Sequence, residues 1–363
     1  MTEIELKLSR VRQLLAGNSL DGVLLRRTAN FAWLTGGASG YVNTAADTGA
    51  ASLLVTADAA YVLTTNIEAP RLEQEERLVE LGFRPLVGPW HQPNAAADAA
   101  LGKLRLGVDV AQTGAVDVSA ELAGLRAVLL PAEMTRFREL GRGCAWAMDQ
   151  AIRAVRPGMS EFEIAGLLAQ ATLTTGAAPI VNLIATDERI FRYRHPLPTA
   201  RKLERYAMLA LCGRSHGLVA SLTRLVHFGP LPAELRRKML ACATVDATLI
   251  GNTRPGVRLT DVFGAATAAY AAAGFQDEWR HHHQGGPASY APRDFLATPT
   301  SAQIVQADQA YAWNPSIAGV KSEDTILVGA VANEVLTAIA GWPLVDIEAA
   351  GQTIARPTIL EIG

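Results

Sequence analysis

Arg156-Pro157-Gly158 leads into Ser160-Glu161-Phe162-Glu163, and Arg254-Pro255-Gly256 leads into Thr260-Asp261-Val262-Phe263. In the first string, a Ser three residues ahead of a Glu is the capping box that opens an amphipathic helix. The second opens another helix, rich in Ala. Two helix–turn–helix units at matching positions predict a duplicated α+β half, although a Pro-Gly turn is common enough for one such echo to arise by chance. Strand-like runs at Ala310-Tyr311-Ala312-Trp313, Thr325-Ile326-Leu327-Val328 and Glu334-Val335-Leu336-Thr337 complete the picture of an antiparallel sheet backed by helices.

Upstream the pattern differs. Ile4, Leu6, Val11, Leu14 and Leu15 are helix-spaced and stop at Gly17-Asn18. Short apolar runs follow at 22–25, 31–34, 52–55 and 61–63, and each predicts a strand; Thr56-Ala57-Asp58 predicts a hairpin turn, and 67–81 a charged helix. This alternation predicts an α/β domain over residues 1–130. Pro131-Ala132-Glu133 marks the boundary, a long helix opens at about residue 135, and residues 131–363 form the second domain.

With 363 residues, the chain exceeds one ordinary core and fits two. A net charge of −2 with no basic stripe predicts no nucleic-acid partner. No apolar run approaches the roughly 18 residues of a membrane span. The start, Met1-Thr2-Glu3-Ile4-Glu5, lacks the layout of a signal peptide. Cys144, Cys212 and Cys242 are odd in number and widely spaced, which predicts reduced, mostly buried thiols in a cytoplasmic protein. Cys212 is a weak nucleophile candidate.

The chemistry concentrates at His281-His282-His283-Gln284-Gly285-Gly286, taken with Asn314-Pro315 and Glu323-Asp324-Thr325. A run of His suggests a metal; the plainer alternative is a polar loop whose imidazoles bond only to neighbours.

The strings Arg156-Pro157-Gly158, His195-Pro196, Ser221-Leu222-Thr223-Arg224, the 281–294 loop, Asn314-Pro315 and Glu323-Asp324 fall in the order seen in peptidase family M24, the creatinase, aminopeptidase P and methionine aminopeptidase superfamily. The chain resembles that family along nearly its whole length. Residues 5–130 resemble its N-terminal α/β domain, with Ala32-Trp33-Leu34-Thr35-Gly36 at a "YLTG"-like strand. Residues 135–360 resemble its duplicated α+β pita-bread domain, which would explain the internal echo.

Metallopeptidases of the family hold two divalent ions with two Asp, one His and two Glu. The resemblance places those ligands at Ala210, Ser221, Gly286, Asn314 and Glu323, so four of five are replaced. Ala and Gly side chains offer no donor, and Ser and Asn are weak neutral ones. The expectation is therefore no metal cofactor, with an unorthodox mononuclear site at the His cluster and Glu323 as an alternative.

The acid–base positions survive better. The resemblance puts His195 where the family keeps a proton-shuttling histidine, and His282 at its first loop histidine. Arg293 falls at the arginine that binds the substrate carboxylate in creatinase, a metal-free member working by histidine acid–base chemistry. The two glutamates that clamp the guanidinium there fall here at Thr223 and Asn314, so creatine itself is disfavoured.

Catalytic candidates are His195, His282, His283 and Glu323. Substrate-binding candidates are Arg293, Asn314, Arg192, Arg194, Arg224 and Thr223; the arginines are expected to converge on one pocket and grip an anion, or else to pair with Glu188, Asp294 or Asp324. Trp313 and Tyr311 read as core.

The leading expectation is a metal-independent hydrolase of a small carboxylated substrate with a C–N bond. The alternatives are an Xaa-Pro peptidase with a rebuilt metal site and a non-catalytic binding module, like the peptidase-like domain of a eukaryotic histone chaperone. The family resemblance further implies a homodimer.

Overall fold

The computed structural model describes residues 1–92, 101–102 and 104–363. The chain divides into two compact units, Met1–Glu133 with His216–Leu218, and Met134–Ser215 with Val219–Gly363.

In the first unit, helix α1 (Glu3–Gly17) opens with a capping box in which Thr2 and Glu5 satisfy each other's backbone N–H groups. Strands β1 (Gly22–Arg27), β2 (Thr48–Thr56), β3 (Ala60–Thr65), β4 (Arg84–Gly88), β5 (Leu106–Val108) and β6 (Val116–Asp117) form one sheet in the order β4-β3-β2-β1-β5-β6. The Thr56-Ala57-Asp58 turn joins β2 to β3 in antiparallel register. Fully buried Lys7 is neutralised by Glu133 at 2.8 Å and Glu3 at 2.6 Å.

Two local expectations fail. Residues 31–34 lie in helix α2 (Thr28–Leu34), not a strand. Asn30 to Leu34 are all buried, and a short run that is apolar on every side carries no period to separate strand from helix. The charged helix is also shorter than 67–81; α3 covers only Ala69–Gln74. Helix α4 (Ser119–Ala127) follows, and the next helix, α5 (Pro131–Ala154), starts at the boundary proline itself.

The second unit repeats itself. The first half continues from α5 into α6 (Glu161–Thr174), β7 (Ala178–Thr186), the short α7 (Glu188–Arg192), β8 (Tyr206–Ser215) and β9 (Leu218–Phe228). The second half runs through α8 (Ala233–Asn252), α9 (Leu259–Ala272), β10 (Gly285–Pro287), β11 (Ala310–Trp313), β12 (Ser316–Ile317), β13 (Val320–Lys321) and β14 (Asp324–Leu327). The hydrogen bonds around the two Pro-Gly turns correspond one to one. Gly158 N–H donates to Leu203 O and Leu203 N–H to Met159 O; Gly256 N–H donates to Val305 O and Val305 N–H to Val257 O. Both glycines lie in the left-handed region, at φ 89° and 88°, which is why the turn needs Gly.

The capping box at Ser160 and Glu163 is formed, whereas the second copy is capped at Arg258 with no side-chain hydrogen bond. After β15 (Glu334–Val335), the chain ends in the hairpin β16 (Leu344–Ala349) and β17 (Gln352–Pro357), then β18 (Leu360–Ile362). The sheets run β18-β9-β8-β7 and β10-β11-β14-β15. Tyr311 and Trp313 stack at 5.4 Å in the core.

Candidate active site

Both halves of the second unit contribute to one cavity of about 310 Å3. Strands β7 and β8 supply Val181, Leu183, Ala210 and Cys212; the second half supplies His283, Arg293, Asn314, Lys321 and Glu323, and the loop after α7 supplies His195. A volume at the low end for ligand sites fits a small molecule.

The histidines come from segments 87 residues apart. His195 Nε2 and His282 Nε2 lie at 3.1 Å, and the ring of His283 stacks on that of His282 at 4.4 Å. Ligand atoms of His195, His282 and His283 all lie within 4.8 Å of one another. The third member of the sequence run is elsewhere in character: His281 is exposed at the end of a 3-10 turn. Burial lowers the basicity of His195, and the nearby Lys321 lowers it further. Burial, Arg293 and Lys321 take His283 down to about 4, and burial takes His282 far below the usual imidazole range. All three are therefore neutral near pH 7. A neutral imidazole pair at hydrogen-bond distance has one ring donating and the other accepting, so a proton can pass between them.

Opposite them is a charged cluster built on the backbone bridge between Thr223 and Glu323. Glu323 Oε1 accepts from Arg293 Nη2 at 2.9 Å; Oε2 accepts from the Thr223 hydroxyl at 2.5 Å and faces the Lys321 ammonium at 3.2 Å. Burial alone would raise this carboxyl, but Lys321, Arg293 and Thr223 outweigh it and hold it at about 2. Two cations against one anion leave the wall net positive.

Sequence reasoning missed Lys321. The signal was present, since Lys321 stands two residues before Glu323 in an extended stretch, and positions i and i+2 share a face.

The arginines do not converge. Arg224 is 2% exposed and donates to Asp324 Oδ1 at 2.8 Å and Thr337 O at 3.1 Å; a guanidinium this buried needs its partners and has none to spare. Arg194 pairs with Glu278, and Arg192 is exposed and outside the cavity lining. Thr223 is buried and its hydroxyl is given to Glu323. Arg293 lines the cavity, yet its Nη1 already donates to Ser221 Oγ at 3.2 Å and Pro292 O at 2.5 Å.

Asn314 is 3% exposed, and its Oδ1 has no hydrogen-bond partner among the described residues. Cys212 is buried and accepts from the Ser221 hydroxyl at 3.1 Å. Burial and the Glu323 charge raise its pKa, which removes its nucleophilic form. All three cysteines are free and buried. At Gly286, a Cβ would sit 2.4 Å from Phe295 O.

The sequence matches metallopeptidase family M24 over residues 135–330 and the creatinase/prolidase N-terminal domain over residues 7–130. The prolidase of Pyrococcus horikoshii OT3 superposes with a TM-score of 0.79 at 16% identity, covering 92% of this chain and 98% of that one. The Xaa-Pro dipeptidase of Bacillus anthracis gives 0.77 at 18% identity, covering 99% and 100%. These two likenesses show the fold. The agropine synthesis cyclase of Rhizobium rhizogenes is 25% identical over 212 residues, 51% of this chain and 52% of its own length. The chain thus spans about half the length of that curated relative.

Proposed function

The chain belongs to metallopeptidase family M24, and we propose that within it this protein is an acid–base enzyme for a small carboxylated substrate with a C–N bond, working without the paired divalent ions. The carrying observation is the state of Glu323, whose two carboxylate oxygens are taken by Arg293, Lys321 and Thr223. The other four ligand positions do not fit an ion pair. Ala210 has no donor, the Ser221 hydroxyl is bonded to Cys212, and Asn314 offers one neutral amide. Gly286 has no room for a side chain beside Phe295 O. Neutral donors cannot repay the dehydration of two divalent cations.

In this reading the net positive wall draws the substrate's anionic group. His195, neutral and exposed at the rim, takes a proton from the attacking water and returns it to the leaving nitrogen, and His282 holds it in register. The test is a panel of N-acyl and N-amidino amino acids and dipeptides, assayed in excess chelator with His195→Ala as control. Chelator-resistant turnover that His195→Ala loses supports the reading; turnover that appears only with added Mn2+, Co2+ or Zn2+ overturns it.

The agropine synthesis cyclase likeness favours a second reading, ring closure, with an internal group replacing water as nucleophile at the same histidines. Product mass separates the two, because hydrolysis adds the mass of water and ring closure does not.

A further inference from the structure

Lys321 is the cavity cation whose terminal donors are the least committed among the described residues. Its side chain is 6% exposed and meets Glu323 Oε2 at 3.2 Å. Among the described residues no other partner takes its remaining N–H groups. Arg293 has both terminal Nη groups committed to Glu323, Ser221 Oγ and Pro292 O, and only its buried Nε, at the stem of the guanidinium, is without a partner among the described residues. Lys321 also lines the cavity together with His195, His283 and Asn314, and its charge is felt at all three histidines. An ammonium lining the same cavity as two of the histidines is within the space a substrate of those histidines would occupy.

We propose that Lys321 is a catalytic residue, its ammonium donating to the oxygen that gains charge when the substrate carbonyl is attacked. The inference rests on the acid–base reading above and fills the place that ions would fill in a metal-dependent relative. The step balances without an outside reagent. Water oxygen bonds to the carbonyl carbon as His195 takes its proton, and the C=O π pair moves onto oxygen beside Lys321. Collapse restores the C=O bond and breaks the C–N bond, and the His195 proton goes to the departing nitrogen. Lys321 keeps its own protons throughout. Glu323 holds the ammonium in place through Oε2, which makes the carboxylate a positioning residue.

The test uses methylphosphonate, a tetrahedral oxyanion, titrated calorimetrically into the full chain at low salt. Lys321→Met should weaken binding by about tenfold or more, the range of one charge-assisted hydrogen bond. Lys321→Arg, which keeps the charge, should stay within about threefold, and Lys202→Met, which removes an exposed cation, should change nothing. Lys321→Arg also serves if the Met variant fails to fold. Equal binding by wild type and Lys321→Met, or no binding by wild type, overturns the proposal. On any substrate the panel yields, Lys321→Met should cost about 10²–10³ in kcat with a smaller change in KM; unchanged kcat overturns it. If no substrate is turned over while methylphosphonate binding still depends on Lys321, the enzyme reading fails and the oxyanion site at Lys321 stands.

Discussion

At the scale of single residues, the site is a division between neutral imidazoles and a charged wall, and the two respond to pH differently. Burial and Lys321 depress His195, so its neutral, proton-accepting form persists below the ordinary imidazole value of about 6.5. A kcat/KM profile should therefore keep its acid limb below that value, and Lys321→Met should move the limb upward; a limb unmoved by that variant would disconnect the two groups. Glu323 gives a stability signature of its own. Its folded pKa of about 2 lies below the unfolded value of about 4.3, so its contribution is present above the unfolded pKa and lost as pH falls through the folded one. The Tm difference between wild type and Glu323→Gln should shrink as pH falls from about 5 to about 2. A constant difference across that window would mean that the carboxylate charge contributes nothing to stability.

The duplicated elements make predictions that single residues cannot. Gly158 and Gly256 share a φ near +88° and a Cβ on either would meet nothing within 4 Å. Ala at either should therefore cost only the left-handed backbone penalty, about 1–2 kcal/mol, and nearly the same at both. Urea unfolding of the two variants checks this; a large disparity would show that the turns are not equivalent. Gly286 is the opposite case, with Phe295 O blocking any Cβ, so Gly286→Ala should cost about 1–3 kcal/mol or more by overpacking. The same comparison shows what the sequence could reveal. Ala310–Trp313 is a strand at the bounds its apolar run predicts, and the Pro-Gly turns exposed the duplication. Helix α2 was illegible because buried residues on all sides erase the period. The meeting of His195 with His282 was not written in any spacing, since only the fold brings loops so far apart in sequence together; the family resemblance pointed to it. Lys321 was legible from its place two residues before Glu323 but was passed over, and of the two alternatives open for Arg224, an anion or a carboxylate such as Asp324, the fold forms the second.

On the scale of the whole molecule, the proposed function requires a metallopeptidase fold to work with Ala210, Ser221, Gly286 and Asn314 at the positions that the family resemblance assigns to ligands. Arg293 and Lys321 bring positive charge to the remaining carboxylate, where they neutralise Glu323 and also repel a cation approaching the cavity. That repulsion bears on the one group of side chains with metal-binding geometry among the described residues, His195, His282 and His283. Imidazoles kept neutral by burial are in the ligand form, yet they face a wall carrying one net positive charge. The field should win against Mn2+ and Co2+, which favour oxygen-rich or anionic sites, and leave only weak affinity for Zn2+. After growth with all three metals and desalting, elemental mass spectrometry should find far less than one equivalent per chain, and added Mn2+ or Co2+ should leave Tm unchanged. Two bound equivalents would require a second set of anionic ligands and would sink the metal-independent reading. A single tightly held Zn2+ that His282→Ala abolishes would instead move the chemistry onto the imidazole cluster, with Lys321→Met expected to tighten it by removing the opposing charge.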